Sequence, residues 1–153
     1  MQLIEHKTYF DNRGSYIPLS TSLEGIQWEQ CSISCNEARY TFRGLHYQTN
    51  PPQTKYIKVI KGSIIDFLVD LETKEVYYFE LDHRDDKALL IPDNYAHGFL
   101  TLEPNTIIVY MVKGEYNPES EHSIVWSEVP DVKRVINQYT DKVIISEKDE
   151  QGK

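Results

Sequence analysis

Short apolar runs and alternating apolar and polar positions dominate the chain, and they predict a protein built mainly from β-strands. Strand-like runs stand at Tyr56–Ile60, Ser63–Leu71, Glu75–Leu81, Ala88–Ile91, Phe99–Leu102, Thr106–Val112, Ser123–Trp126 and Val143–Ile145. Turn-forming residues separate them, among them Lys61-Gly62 and Glu103-Pro104-Asn105. Many short strands at nearly regular spacing are typical of a β-sandwich or a barrel-like jelly roll.

Helical periodicity is scarce and predicts one helix, Asp131–Gln138, in which Val132, Val135 and Ile136 share a face. No repeat, low-complexity linker or shift in composition divides the chain. We therefore expect a single domain over residues 1–153. By composition alone, the segment Glu147–Lys153 indicates a solvated tail.

Charge and hydropathy narrow the class of protein. The 153 residues carry a formal net charge of -8, which argues against a nucleic-acid-binding protein. No apolar run is long enough to cross a membrane, and the first residues lack the pattern of an export signal, so a cytoplasmic protein without a membrane partner is expected. An anionic small ligand remains compatible with the acidic balance, because a few basic residues in a cleft can hold a diphosphate.

The two cysteines, Cys31 and Cys35, fall in the alternating segment Gln30–Cys35. On one strand they would lie roughly 13 Å apart at ~3.3 Å per residue, which is too far for a disulfide. A C-x3-C spacing without a second pair also makes a poor zinc site. We expect two reduced, buried cysteines.

Candidate chemistry centres on the segment FRGLHYQ, residues 42–48. In a strictly alternating strand, Arg43 and Leu45 face one way, while Gly44, His46 and Gln48 face the other. A histidine and a glutamine beside a glycine suggest the lining of a cavity. A lone histidine is more often a core residue bonded to a backbone carbonyl, so this segment alone decides nothing.

Other polar residues stand at predicted strand starts or inside apolar runs. Lys55 begins one strand, His97 precedes Gly98 at another, and Tyr110 lies in the run Ile107–Met111, where packing alone would explain it. No H-x-H pair exists and Lys55 would repel a cation, so no metal site is expected.

Several motifs, taken together and in order, resemble the dTDP-4-dehydrorhamnose 3,5-epimerase family from Phe10 to about Asp149. They are FRGLHYQ, PPQTK, VIKG with IIDFLVDL, IPDNYAHGFL, GEYNPESE with SIVW, and ISEKD. The resemblance implies an all-β, cupin-type jelly roll (double-stranded β-helix) with minor short helices. It also implies a homodimeric isomerase of deoxysugar and polysaccharide biosynthesis that inverts C3 and/or C5 of a dTDP-4-keto-6-deoxyhexose and needs no cofactor.

The resemblance also implies roles for individual residues. His46 matches the general base, Asp149 its carboxylate partner and Tyr110 the proton donor, while Lys55 suits stabilisation of an enolate oxygen. The segment Glu147–Lys153, which composition alone indicates as a solvated tail, is then expected to contribute Asp149 to the site. Substrate-binding positions implied in the same way are Arg13, Gln30, Arg43, Gln48, His97, Tyr116, Glu121 and Lys148.

Two departures from the family pattern leave alternatives open. Ser32 stands where the family has an asparagine, and Pro18 where it has a glutamate. Because these regions help hold the nucleotide in the family, a 3- or 5-only epimerase of another nucleotide-linked 4-keto sugar is the nearest alternative. A non-catalytic cupin that binds sugar nucleotides is the second alternative.

Overall fold

A computed structural model describes residues 1–12, 14–17 and 25–152. These residues form twelve strands and two α-helices. The strands are β1 (Gln2–Glu5), β2 (Tyr9–Asp11), β3 (Gly14–Tyr16), β4 (Gln30–Asn36), β5 (Phe42–Gln48), β6 (Thr54–Lys61), β7 (Ser63–Asp70), β8 (Val76–Asp82), β9 (Lys87–Ile91), β10 (Tyr95–Thr101), β11 (Thr106–Lys113) and β12 (Glu121–Ser123). The helices are α1 (Pro130–Asn137) and α2 (Glu147–Gln151), with single-turn 3₁₀ helices at Pro118–Ser120 and Trp126–Glu128.

Two five-stranded antiparallel sheets make the body of the fold. One has the order β1-β9-β6-β11-β4 and the other β12-β5-β10-β7-β8, while β2 and β3 form a separate hairpin. This arrangement confirms the predicted all-β jelly roll with minor short helices. No helix in the described ranges is long and apolar enough to cross a membrane.

Strand β7 separates two apolar layers, because its alternating side chains serve both. Ile64 and Leu68 pack into the space between the sheets, together with residues of β6, β9 and β11. Ile65 and Phe67 point the other way and pack under α1 against residues such as Val135. The predicted helix is confirmed, since α1 differs from Asp131–Gln138 by one residue at each end.

Two predictions for strands in the C-terminal part of the chain are wrong, one in its bounds and one because the segment forms no strand. The strand predicted at Ser123–Trp126 is β12, which ends at Ser123 before the chain enters a 3₁₀ turn. The segment Val143–Ile145 makes only an isolated bridge, between Ile144 and Thr41, because the chain turns into α2 two residues later.

Strand β4 lies at the edge of its sheet, and this position corrects the expectation for the cysteines. Cys31 and Cys35 are both exposed and reduced. They share the outer side of β4 with Ile33, which is 66% exposed. Alternation along β4 places Ser32, Ser34 and Asn36 on the inner side, so the pattern was correct but the buried face was misassigned.

Candidate active site

A cavity of about 390 Å³ opens between the two sheets and holds most of the predicted site. Seven of the predicted residues line it: Arg43, His46, Lys55, His97, Tyr110, Lys148 and Asp149. They come from β5, β6, β10, β11 and α2. The jelly roll therefore brings together residues that lie more than a hundred positions apart in the sequence.

Strand β5 does not alternate strictly, and this corrects the predicted orientation of Arg43. The pairing of β5 with β10 shifts register between the His97–His46 and Phe99–Arg43 pairs. One residue on β10 therefore faces two on β5, which is a β-bulge. As a result, Arg43 and His46 line the same cavity, although strict alternation places them on opposite faces.

Glycines make this bulge possible by letting two backbones approach closely. Gly44 has a φ of +113°, a region that side-chain-bearing residues rarely adopt. A Cβ atom at Gly44 would lie 2.5 Å from the carbonyl oxygen of His97 and 2.6 Å from the Cα of Gly98. The glycine beside the histidine thus serves the backbone contact that sets the direction of the His46 side chain.

His46 and Asp149 form a direct pair. Nε2 of His46 lies 2.5 Å from Oδ1 of Asp149, and the backbone N–H of Gly44 donates to Oδ2 at 3.1 Å. Asp149 is 4% exposed. Burial would raise the pKa of this carboxyl, but the hydrogen bonds from His46 and Gly44 outweigh it and hold the pKa below its ordinary value. The carboxylate is therefore ionised at neutral pH and fixes the orientation of the imidazole ring.

Helix α2 positions Asp149. The Ser146 hydroxyl caps the helix by accepting the N–H of Asp149 at 3.2 Å. The helix ends at Gly152 in the left-handed conformation, packed close to Val125. The stretch that composition alone indicates as a solvated tail is therefore a docked helix, and that expectation is wrong.

Asp66 is a site residue that the sequence analysis missed. It is fully buried on β7, and its Oδ2 lies 2.8 Å from Nε2 of His97. Its other oxygen has no hydrogen-bond partner among the described residues. A carboxylate in the middle of the apolar run 63–70, on the same face as Ile64 and Leu68, was the available signal.

Burial and neighbouring charges set the ionisation of Lys55 and Asp66. Burial lowers the pKa of the Lys55 amine, while the negative charges of Glu121 and Asp66 oppose that shift. Burial likewise raises the pKa of Asp66, against the opposing effects of His97 and Lys55. The Lys55 amine and the His97 ring, which is bonded to Asp66, thus face the same cavity, where both can donate hydrogen bonds to a ligand oxygen.

Tyr110 lies on the β11 side of the cavity, edge-on to the His97 ring with 6.5 Å between ring centroids. Burial raises the pKa of its phenol well above the ordinary value, and the charge of Asp66 adds to the shift. Arg43 and the Ser34 hydroxyl act in the opposite direction. The phenol is therefore protonated at neutral pH and is able to donate a proton.

Three predicted binding residues interact at the mouth of the cavity. Nζ of Lys148 lies 2.6 Å from Oε2 of Glu121, and the Tyr116 hydroxyl donates to the same oxygen at 3.3 Å. The Tyr116 ring is 60% exposed. Gln30 and Tyr116 border a neighbouring hollow of about 360 Å³.

Four described residues predicted to bind substrate are absent from the lining of this cavity: Gln30, Gln48, Tyr116 and Glu121. Gln48 is buried, and its side-chain amide donates to the carbonyl oxygens of Pro51 and Glu115 and accepts the N–H of Asn117. The Gln48 amide therefore links the loop that contains Pro51 to the loop that contains Glu115 and Asn117. Arg13 lies outside the described residues. Within the described ranges, no group of three or more His, Cys, Asp or Glu side chains is placed to hold a metal ion.

Comparison with known proteins identifies the family. The family model for dTDP-4-dehydrorhamnose 3,5-epimerase matches residues 1–153. The chain is 35% identical over 166 aligned residues to the dTDP-4-dehydrorhamnose 3,5-epimerase of Methanothermobacter thermautotrophicus, covering 99% of this chain and 87% of that protein. The crystal structure of the Bacillus anthracis enzyme of the same name, with TDP and PPi bound, matches with a TM-score of 0.85 and 32% identity, over 99% of this chain and 91% of that one.

A second solved structure adds a sugar ligand. It is a dTDP-6-deoxy-D-glucose-3,5-epimerase from Legionella pneumophila in complex with dTDP-4-keto-L-rhamnose. It matches with a TM-score of 0.87 and 29% identity, over 98% of this chain and 85% of that one. The protein is therefore an isomerase of the dTDP-4-dehydrorhamnose 3,5-epimerase family, as its motifs predicted.

Proposed function

We propose that the protein is a cofactor-independent epimerase that inverts C3 and C5 of a dTDP-4-keto-6-deoxyhexose. The observation that carries the proposal is one cavity in which the His46–Asp149 pair and the protonated Tyr110 both present a reactive group. The ligands in the Bacillus anthracis and Legionella pneumophila relatives support the choice of a thymidine nucleotide and a 4-keto sugar.

His46 acts as the general base. A ketone at C4 acidifies the hydrogens on C3 and C5, so removing either proton forms an enolate. Because Nε2 of His46 is bound to Asp149, Nδ1 is the ring nitrogen left to take the proton from carbon. Asp149 keeps the hydrogen on Nε2 and stabilises the imidazolium that forms.

Tyr110 and Lys55 complete the reaction. The Lys55 ammonium stabilises the enolate oxygen, with the His97–Asp66 pair beside it. Tyr110 then gives its phenol proton to the carbon from the face opposite His46, and the new C–H bond has inverted configuration. The redox state of the sugar does not change, so this route uses no cofactor.

The nucleotide binds at the mouth of the same cavity. The Arg43 guanidinium and Lys148 suit the diphosphate, because both are cationic and Arg43 presents a planar fork. The exposed Tyr116 ring offers a surface on which the thymine stacks.

A second copy of the chain completes the binding site in this proposal. The family resemblance implies that Arg13 contributes to nucleotide binding across a dimer interface. The outer side of edge strand β4, with Ile33 largely exposed, supports a homodimer, because an open strand edge beside an apolar side chain is rarely left uncovered.

The first test follows deuterium entry at C3 and C5 by NMR in D2O with dTDP-4-keto-6-deoxyglucose as substrate. Exchange and inversion at both positions are expected. Exchange at one position alone would instead identify a 3- or 5-only epimerase. Binding of dTDP without exchange would favour another 4-keto sugar or a binding-only cupin, and the absence of both would refute the choice of nucleotide.

A His46→Ala variant separates catalysis from binding. We expect it to abolish exchange at both carbons while dTDP still binds, because the ring makes no part of the proposed diphosphate contact. Full exchange in this variant would refute the assignment of His46 as base.

A further inference from the structure

A chain of polar side chains on the inner side of β4 connects the diphosphate-binding arginine to the proposed acid. Asn36 stands at its centre and is 3% exposed. Nε of Arg43 donates to Oδ1 of Asn36 at 2.7 Å. Nδ2 of Asn36 donates to the Ser34 hydroxyl at 3.2 Å and to the carbonyl oxygen of Thr106 at 3.2 Å.

The partners of Asn36 determine which way its amide faces. Arg43 Nε and the Thr106 carbonyl can each play one role only, donor and acceptor respectively. They therefore fix Oδ1 toward Arg43 and Nδ2 toward Ser34. The reverse contact, from the Ser34 hydroxyl to Oδ1, is the longer one at 3.5 Å and competes with the short bond from Arg43. Ser34 consequently accepts from Asn36, and its own hydrogen is available for another acceptor.

The phenol of Tyr110 faces the same cavity as Ser34 and is the candidate acceptor for this hydrogen. In the pairing of β4 with β11, Ser34 lies opposite Ile108, so Tyr110 is its diagonal neighbour two residues along. Ser34 and Tyr110 line the same cavity. Donation of a hydrogen bond from Ser34 lowers the pKa of the Tyr110 phenol, in opposition to burial and to the charge of Asp66. Arg43 thus donates to Asn36 and Asn36 donates to Ser34, which leaves the Ser34 hydroxyl hydrogen for the phenol oxygen.

We propose that Asn36 and Ser34 are positioning residues that act through Tyr110, by holding a hydrogen-bond donor against the oxygen that becomes negative when the phenol gives up its proton. The proposal rests on the proposed function, in which Tyr110 protonates the enolate carbon. When the O–H bond of Tyr110 breaks, its proton forms the new C–H bond, and its electron pair stays on the phenolate oxygen, facing Ser34. Tyr110 is reset when it takes a proton from solvent and His46 releases the one that it removed.

The test compares two variants. Ser34→Ala removes the hydroxyl that donates to Tyr110, and Asn36→Asp turns that hydroxyl toward residue 36. The carboxylate introduced by Asn36→Asp would still accept from Arg43, but it would draw the Ser34 hydrogen to itself and away from Tyr110. Ser34→Thr keeps the hydroxyl and is the matched control. The readout is the ratio of deuterium exchange to net inversion with dTDP-4-keto-6-deoxyglucose, together with the Kd for dTDP.

We expect the ratio of exchange to inversion to rise about ten- to a hundred-fold in Ser34→Ala and Asn36→Asp, the range expected when a hydrogen bond to a charged oxygen is lost. His46 would still remove and return protons in these variants, while inversion through Tyr110 slows. Ser34→Thr should keep the wild-type ratio, and the Kd for dTDP should stay within about twofold in Ser34→Ala and Ser34→Thr, since both keep Asn36 as the acceptor for Arg43. In Asn36→Asp the Kd should rise, because the new carboxylate pairs with the Arg43 cation. Equal losses of exchange and inversion would overturn the proposal, because a purely structural role lowers both.

A second measurement needs no turnover and separates this proposal from the proposed function. Protein labelled with ¹³C at tyrosine Cζ gives one resonance that disappears in Tyr110→Phe and so belongs to Tyr110. We expect this resonance to shift in the same direction in Ser34→Ala and Asn36→Asp and to return in Ser34→Thr. A wild-type protein inactive on this substrate would refute the proposed function alone, whereas an unmoved Tyr110 resonance in both variants would refute the hydrogen-bond chain.

Discussion

Replacement of Asp149 by asparagine tests the proposed base most directly, because the new side chain has nearly the same shape. The Gly44 N–H needs an acceptor, so the amide oxygen of the introduced asparagine would take the place of Oδ2. The amide NH2 would then face Nε2 of His46, where the carboxylate oxygen lies at 2.5 Å in the wild-type protein. Nε2 must accept from this group, which moves the ring hydrogen to Nδ1. The nitrogen that should take the substrate proton then has no free lone pair.

This change of tautomer determines the expected magnitude. A positioned general base contributes about 10²–10⁴-fold in rate, which corresponds to roughly 3–5 kcal/mol in activation free energy. We therefore expect Asp149→Asn to lower kcat by about 10²–10⁴-fold. The Kd for dTDP should remain within about twofold, since Arg43 and Lys148 are unchanged.

The assay is deuterium exchange at C3 and C5, with Glu150→Gln as the matched control. Glu150 is the exposed neighbour of Asp149 on α2, so its substitution removes the same charge without touching His46. The control should keep wild-type exchange. An Asp149→Asn variant that exchanges within tenfold of wild type would refute the role of the carboxylate in setting the tautomer.

Three further predictions concern the rest of the site and the fold. Lys55→Met should lower kcat by about 10²–10³-fold with dTDP still bound, because the enolate oxygen loses its cation; an unchanged kcat would exclude Lys55 from that role. Ile136→Ala should destabilise the protein by about 2–5 kcal/mol in urea unfolding, because Ile136 is fully buried on the inner face of α1. His6 hydrogen-bonds to the buried Tyr56 hydroxyl, and burial with the charge of Lys58 lowers its pKa against the opposing effect of Asp86. As the pH drops, the unfolded chain therefore protonates His6 before the folded protein does, and the free energy of unfolding should fall from about pH 6.5 down to the folded-state pKa of His6. His6→Gln should therefore reduce the fall in Tm between about pH 7.5 and 5. An identical fall in the variant would contradict a lowered pKa of His6.

Periodicity alone was sufficient to predict the helix α1 and most strands between Thr54 and Lys113. A strand buries one face and a helix buries one stripe, so apolar residues recur in the sequence at the period of the buried side. The edge position of β4 could not be predicted in this way, because alternation shows that a strand has two faces but not which face packs on the core. For that reason the cysteines were predicted to be buried, whereas the structure exposes them and turns Ser32 and Ser34 to the cavity.

The site depended on a different kind of information. The motifs identified His46, Tyr110 and Asp149, and the structure brings all three into one cavity. The bulge at Gly44 could not be predicted from alternation, since it arises from the contact of β5 with β10. Asp66 was missed although it lies in the motif IIDFLVDL, because no role was assigned to it there and only the fold shows its partner, His97.

The pairing of His46 with Asp149 joins residues 103 positions apart, and this separation has a consequence for the order in which the protein matures. Each described strand, as well as α1, lies before residue 146. A chain folded only that far would hold both sheets and most of the cavity wall, yet its imidazole would face no carboxylate. Stability would come before reactivity, because the segment that contributes Asp149 docks onto a barrel that is already built. An incompletely synthesised or clipped chain would then lack Lys148 as well as Asp149, so it would bind its ligand more weakly and leave it unaltered.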